Sequence, residues 1–257
     1  MDPRVDALSS LKPFGHHPQE TVRLQHSTDG WALLTLNRPE AGNSVNRAMA
    51  DELSEALSAI ADVQACRALL LVGEGDRFFC TGGDVKEYAT LDRAELGACF
   101  LSVQQACGLL RSLPMPTIAA VDGLALGGGV ELAMHCDLRV AGSAAAFRVP
   151  QVHLGIVPGW LALPRLVGAI GEARTAELLL TGRWLDAGQA LDWGVVTRTG
   201  EHALTTAIEL VAELPEAGGD AVGTVRRLIA HASDHAWDPA SVDAANEAFL
   251  RLWFRGD

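Results

Sequence analysis

Three glycines and a glutamate close the segment Thr117-Ile-Ala-Ala-Val-Asp-Gly-Leu-Ala-Leu-Gly-Gly-Gly-Val-Glu131. The run Thr117 to Val121 reads as a buried strand, and the residues from Gly129 onward read as a helix. Glycines at such a junction admit a ligand where a Cβ would stand in the way. The first N–H groups of the helix have no partner within it, and they lie at the positive end of its dipole. Unpaired donors beside a carboxylate suit enolate chemistry: donors hold the developing oxyanion while a base moves the proton. An acid in a first helical turn also stabilises the helix by about 0.3–1 kcal/mol, so Glu131 carries a structural reading beside the chemical one.

A second segment has the same form. Phe78-Phe-Cys-Thr-Gly-Gly-Asp-Val-Lys-Glu-Tyr88 follows the apolar run Ala68 to Val72 and passes through Gly82 and Gly83 into a helix. Asp84 and Glu87 have the spacing of a capping box, which assigns Asp84 to the cap before any chemistry.

The elements that must position these residues alternate between the two periodicities. Glu20 to Leu36 alternates around Asp29-Gly30, a hairpin signal. Asn46 opens a helix with Met49, Leu53, Ala56, Leu57 and Ile60 on one face, and Val63 to Glu74 returns to strand. This βαβ order with glycine turns at strand ends predicts an α/β fold with a largely parallel sheet, whose ligands sit beyond the carboxyl ends of the strands. From Leu163 helices dominate: Ile170 to Leu180, Ala187 to Gly194, Ala203 to Leu214, Val222 to Ala232 and Val242 to Phe254. The apolar stripe Val242, Ala245, Phe249, Leu252 and Trp253 is more than one subunit covers easily and predicts self-association.

Composition removes several function classes. A chain of 257 residues, 49% hydrophobic, can bury one sizeable core. No apolar run has the length of a membrane span, and Met1-Asp-Pro-Arg-Val-Asp6 lacks the features of a secretory signal. The net charge of −12 argues against nucleic acid. Five cysteines, odd in number and without metal-ligand spacing, read as reduced and predict no metal site and a cytoplasmic protein. Of the 20 basic residues only Lys12 and Lys86 are lysines. Arg38, Arg77 and Lys86 are the candidates for meeting a polyanionic ligand.

Five ordered blocks resemble the crotonase superfamily, also called the enoyl-CoA hydratase/isomerase family. They are Leu36-Asn-Arg-Pro-Glu-Ala-Gly-Asn-Ser-Val-Asn46, Gly82-Gly-Asp84, Gly127-Gly-Gly129, Phe147 through Pro150 leading to Gly155-Ile-Val-Pro-Gly159, and Leu180-Thr-Gly182 with Ala187 and Gly194-Val-Val196. The resemblance covers roughly residues 20 to 255. It implies a ββα superhelix (spiral) core over 20–200, after a loose leader at 1–19, and a C-terminal helical trimerisation region over 201–257. It implies an acyl-CoA or other acyl-thioester substrate and no cofactor beyond the coenzyme A of that substrate. A homotrimer or a dimer of trimers follows from the same likeness. The thioester oxygen would meet the N–H groups of Gly83 and Gly128, with Glu131 as acid/base. Ala41, Asp84, Val85, Lys86 and Gly159 would join those glycines as acyl-CoA contacts.

The chain departs from that pattern in three places. Where hydratases of the family carry a second glutamate, this chain has Gln151, which hydrogen-bonds but cannot transfer a proton. One carboxylate in place of two suits double-bond migration and leaves hydration possible, with Gln151 and the Gly159 N–H positioning water. After Pro158-Gly159 the family continues with a small residue and two glycines; here Trp160-Leu161-Ala162 adds bulk beside the site. The chain stops at Arg255-Gly-Asp257, short of a final helix, which leaves a carrier-linked acyl donor open. Decarboxylation or hydrolysis through the same enolate, and a silent acyl-thioester binder, are the competing readings. His135, one turn after Glu131, is placed to hydrogen-bond it or to sit satisfied in the core. His231 and His235 fall where some decarboxylating relatives place a catalytic histidine.

Overall fold

Strands that are apolar on both faces need cover on both sides, and the chain supplies two unequal covers. The structure is a computed structural model that describes residues 8, 11–14, 21–63, 66–215, 221–226, 229, 250 and 254. Its larger sheet holds β1 (Lys12–Pro13), β2 (Val22–His26), β3 (Trp31–Leu36), β4 (Ala68–Gly73), β6 (Thr117–Val121), β8 (Leu138–Ala141) and β11 (Arg198–Thr199), in that spatial order. β1 pairs antiparallel with β2, and β2 antiparallel with β3 across the Asp29-Gly30 turn, where Gly30 has φ 80°; β3 onward pairs parallel. A smaller sheet runs β10 (Trp184–Asp186), β9 (Ala146–Arg148), β7 (Leu124–Leu126) and β5 (Phe78–Cys80). The strand expected from Val63 begins only at Ala68, because the preceding helix ends at Ala61 with its cap at Asp62.

The helices are α1 (Arg47–Ala61), α2 (Val85–Tyr88), α3 (Arg93–Ser112), α4 (Gly128–His135), α5 (Leu163–Thr181), α6 (Ala187–Trp193) and α7 (Ala203–Ala212). Asn46 caps α1 by accepting from the Met49 N–H at 2.9 Å, and the face predicted from its spacing is the buried one. Alternation along the central strands separates two cores. Leu34, Leu69, Leu71 and Ala119 face α1, α3 and α4, while Leu33, Leu70, Ile118 and Val140 face α7. The helix expected from Ile170 starts at Leu163 and is broken at Gly171 (φ 78°, ψ 163°).

Three times the chain leaves a strand of the large sheet, adds one to the small sheet, and turns toward a helix: β4–β5–α2, β6–β7–α4 and β8–β9 before α5. Parallel pairing of β5 with β7 therefore sets the two glycine turns side by side. Residues 221–226 are helical, and Leu250 and Phe254 pack against the main core. The stripe Val242, Ala245, Phe249, Leu252 and Trp253, the histidines His231 and His235, and most of the leader lie outside the described residues.

Candidate active site

The site forms where β5 and β7 end. A Cβ on Gly82 would lie 2.9 Å from the Gly128 nitrogen, so the two turns are in contact. Gly83 lies opposite Val45 in a parallel bridge that uses the backbone groups of its neighbours and leaves its own N–H unused. The Val45 N–H donates to Gly82 O at 2.8 Å and the Asp84 N–H donates to Val45 O at 3.0 Å, and the N–H of Gly83 meets no acceptor among the described residues. Gly128 opens α4, so its N–H has no intrahelical partner. Both positions demand glycine. A Cβ on Gly83 would come within 2.3 Å of the Tyr88 ring, and one on Gly128 within 2.6 Å of the Trp160 ring.

Both glycines line a cavity of about 90 Å³ together with Glu131, Gln151, Gly159 and Trp160. Glu131 is 1% exposed. Its Oε2 accepts from the Trp160 N–H at 2.8 Å; its Oε1 accepts from the Gly159 N–H and from Gln151 Nε2, each at 3.3 Å. Burial pushes the Glu131 carboxyl up to about 7, against the opposing pull of the Trp160, Ala162 and Gly159 N–H groups. A carboxyl poised there both takes and returns a proton near neutral pH. Gln151 is buried, and its Oε1 meets no donor among the described residues.

The segment that holds Glu131 is itself held. Gln104 Nε2 donates to Gly159 O at 2.8 Å, and His135 Nε2 donates to Trp160 O at 2.6 Å. His135 Nε2 thus hydrogen-bonds a backbone carbonyl and not the Glu131 carboxylate one turn away. Burial lowers its pKa to about 3, which keeps the imidazole neutral. Neither Gln104 nor the Trp160 N–H was singled out in the sequence. The one available signal was a glutamine on the apolar face of α3.

The expected acyl-CoA contacts separate into two groups. Gly83, Val85, Gly128 and Gly159 line the cavity, with Val85 exposed at its mouth. Ala41, in the 3-10 turn Pro39–Ala41, lies outside the lining, as do Asp84 and Lys86. Asp84 caps α2 by accepting from the Lys86 and Glu87 N–H groups, and Arg38 Nη2 donates to its carboxylate at 2.9 Å. Burial raises the Asp84 pKa, but the Arg38 bond and the amide donors outweigh it and hold the carboxyl below its ordinary value. The capping box is one-sided, because Glu87 accepts from the Arg47 N–H at 3.0 Å instead of closing it. Of the three candidate cations, Arg38 is tied to Asp84, Arg77 stacks on Phe78 at 4.8 Å, and Lys86 is exposed beside the mouth.

Other chemistries find little support near the site. Burial pushes the Cys80 and Cys136 thiols up to about 12, away from thiolate chemistry. No group of three or more His, Cys, Asp or Glu among the described residues could hold a metal. No helix among them is long and apolar enough to cross a membrane.

The family model for enoyl-CoA hydratase/isomerase matches residues 26–252. This chain belongs to that family. A methylglutaconyl-CoA hydratase of Rattus norvegicus is 35% identical over 208 residues, which cover 77% of this chain and 66% of that protein. A mevalonyl-coenzyme A hydratase of Aspergillus fumigatus is 34% identical over 86% of this chain and 81% of its own length. The crystal structure of an enoyl-CoA hydratase from Bacillus anthracis superposes with a TM-score of 0.79 at 29% identity, covering 91% of this chain and 93% of that one. The fold is therefore that of the enoyl-CoA hydratase/isomerase family, and the protein is an acyl-CoA enzyme at the family level.

Proposed function

We propose that this enzyme moves the double bond of an enoyl thioester, with Glu131 as its single proton carrier. The thioester oxygen lies between the N–H groups of Gly83 and Gly128. The Glu131 carboxylate takes a proton from C2 of a 3-enoyl thioester, and the electron pair passes into a dienolate whose charge rests on that oxygen. The same proton then returns at C4, which leaves the 2-enoyl product and the carboxylate restored. Two preorganised donors in a dry cavity carry this step; losing one such donor typically costs about 3 kcal/mol of transition-state stabilisation. No cofactor is needed beyond the coenzyme A of the substrate. Lys86, exposed beside the cavity mouth, is the cation placed for its phosphates.

The observation that carries this reading is that the cavity holds one carboxylate, with Gln151 where a second proton carrier would stand. Slow hydration is the second reading, favoured by the open acceptor Gln151 Oε1, which water can fill. Product analysis with 3-enoyl- and crotonyl-CoA tests both. Conversion of the 3-enoyl thioester at a rate well above crotonyl hydration is expected. Free acid in place of the shifted double bond, or decarboxylation of a malonyl-type thioester with no shift of the 3-enoyl one, would overturn the proposal.

A further inference from the structure

We infer that the acyl pocket ends at the Trp160 indole, so that this enzyme takes short acyl groups in preference to long ones. The inference rests on the thioester lying at Gly83 and Gly128. From that point the cavity is closed inward by Trp160 and by Tyr88 and Phe100, whose ring centroids are 5.6 Å apart. It opens outward past Val85 and Leu154, which are 53% and 63% exposed. The coenzyme A moiety, too large for the interior, must occupy the open side, which leaves the acyl group inside.

The space inside is small. A cavity of about 90 Å³ is well below the roughly 300–1,000 Å³ of pockets that enclose drug-sized ligands.

The indole is a fixed wall. Trp160 is 2% exposed, and its ring rests on Gly128 at the distance where a Cβ would collide. Its backbone is pinned on both sides of the Cα, N–H to Glu131 at 2.8 Å and carbonyl to His135 at 2.6 Å. A longer chain would have to displace a ring whose backbone cannot swing aside without releasing the acid/base. Packed interiors resist such a shift at a cost that grows with each inserted methylene.

The test is binding of saturated acyl-CoAs, which double-bond chemistry does not consume. Calorimetry with butyryl-, octanoyl- and dodecanoyl-CoA should show native affinity flat or falling beyond four carbons. Trp160→Ala should shift the octanoyl-to-butyryl affinity ratio tenfold or more toward octanoyl, and Trp160→Phe, which keeps a ring in the core, should fall between. Native binding of dodecanoyl-CoA tenfold tighter than butyryl-CoA, or ratios unchanged in both variants, would overturn the inference. Chain-length preference without turnover of 3-enoyl-CoA would instead overturn only the proposed reaction. No binding at any length would overturn the thioester site itself.

Discussion

Glu131 and His135, one turn apart on α4, hold the two backbone polar groups of one residue, Trp160. The carboxylate accepts its N–H at 2.8 Å and the imidazole donates to its carbonyl at 2.6 Å. His135→Leu keeps the apolar surroundings but leaves a buried carbonyl without that donor, which costs about 1–3 kcal/mol of stability. It also frees the Trp160 N–H to move away from the carboxylate. Losing a donor to the charged form raises an acid's pKa, so the acid limb of the rate profile should move above pH 7. Thermal melts and pH–rate profiles check the two effects separately; a melt shift without a profile shift would restrict His135 to packing.

Glu131→Gln should lower turnover of a 3-enoyl thioester by about 10²–10⁴, the range typical of a lost acid/base. The fold should survive, since a glutamine oxygen can still accept from the Trp160 N–H. Steady-state kinetics beside circular dichroism are the measurement. Activity within threefold of native would remove Glu131 from the mechanism.

The same carboxyl links activity and stability to pH in opposite directions. Its folded pKa is raised to about 7 from an unfolded value near 4.5. Its stabilising contribution is therefore complete below about pH 4.5 and is lost as pH rises through 7. The full loss is of the order of 3 kcal/mol, at about 1.4 kcal/mol per unit. Over the same window the carboxylate forms, and on the proposed mechanism the rate should rise. Melting temperatures from pH 5 to 8.5 should fall more steeply for the native protein than for Glu131→Gln. Parallel curves would contradict the raised pKa.

Gln151→Glu restores a second proton carrier beside Glu131 Oε1. Hydration of crotonyl-CoA, expected to be slow in the native protein, should rise about tenfold or more. Two carboxyls in one buried site push one pKa upward, so the gain should be largest on the acidic side of the profile. A crotonyl-CoA assay across pH decides it, and fast hydration by the native protein would show that Glu131 suffices alone.

Leu161 takes φ 65°, a left-handed conformation that a branched side chain adopts at a cost. Leu161→Gly should raise stability by about 1 kcal/mol, the relief of strain less the extra entropy of glycine in the unfolded chain. Denaturant titration measures it. A destabilised variant would mean that the leucine side chain contributes more by packing than its backbone loses.

Gly83, Gly128 and Glu131 were legible because each depends on its immediate neighbours: a strand end, a glycine that lets the chain turn, and the first turn of a helix. The α1 face was legible for the same reason, since its period is local. The partners of these groups were not. Arg38 read as a free cation until Asp84, 46 residues away, was found against it. His135 shares a helix face with Glu131 by spacing, yet its Nε2 bonds to Trp160, 25 residues on.

The sequence by itself determined the α/β class, the two glycine turns, and a carboxyl at Glu131 with an amide at Gln151. These follow from residue type and short-range periodicity, which need no knowledge of distant contacts. Only the tertiary structure decided that the Gly159–Trp160 backbone returns to seat the Glu131 carboxylate, and that burial there brings its pKa to about 7. It also decided that the Trp160 ring closes on Gly128. Desolvation and hydrogen bonding depend on which segments meet, and segments 28 residues apart meet only when the whole core has packed.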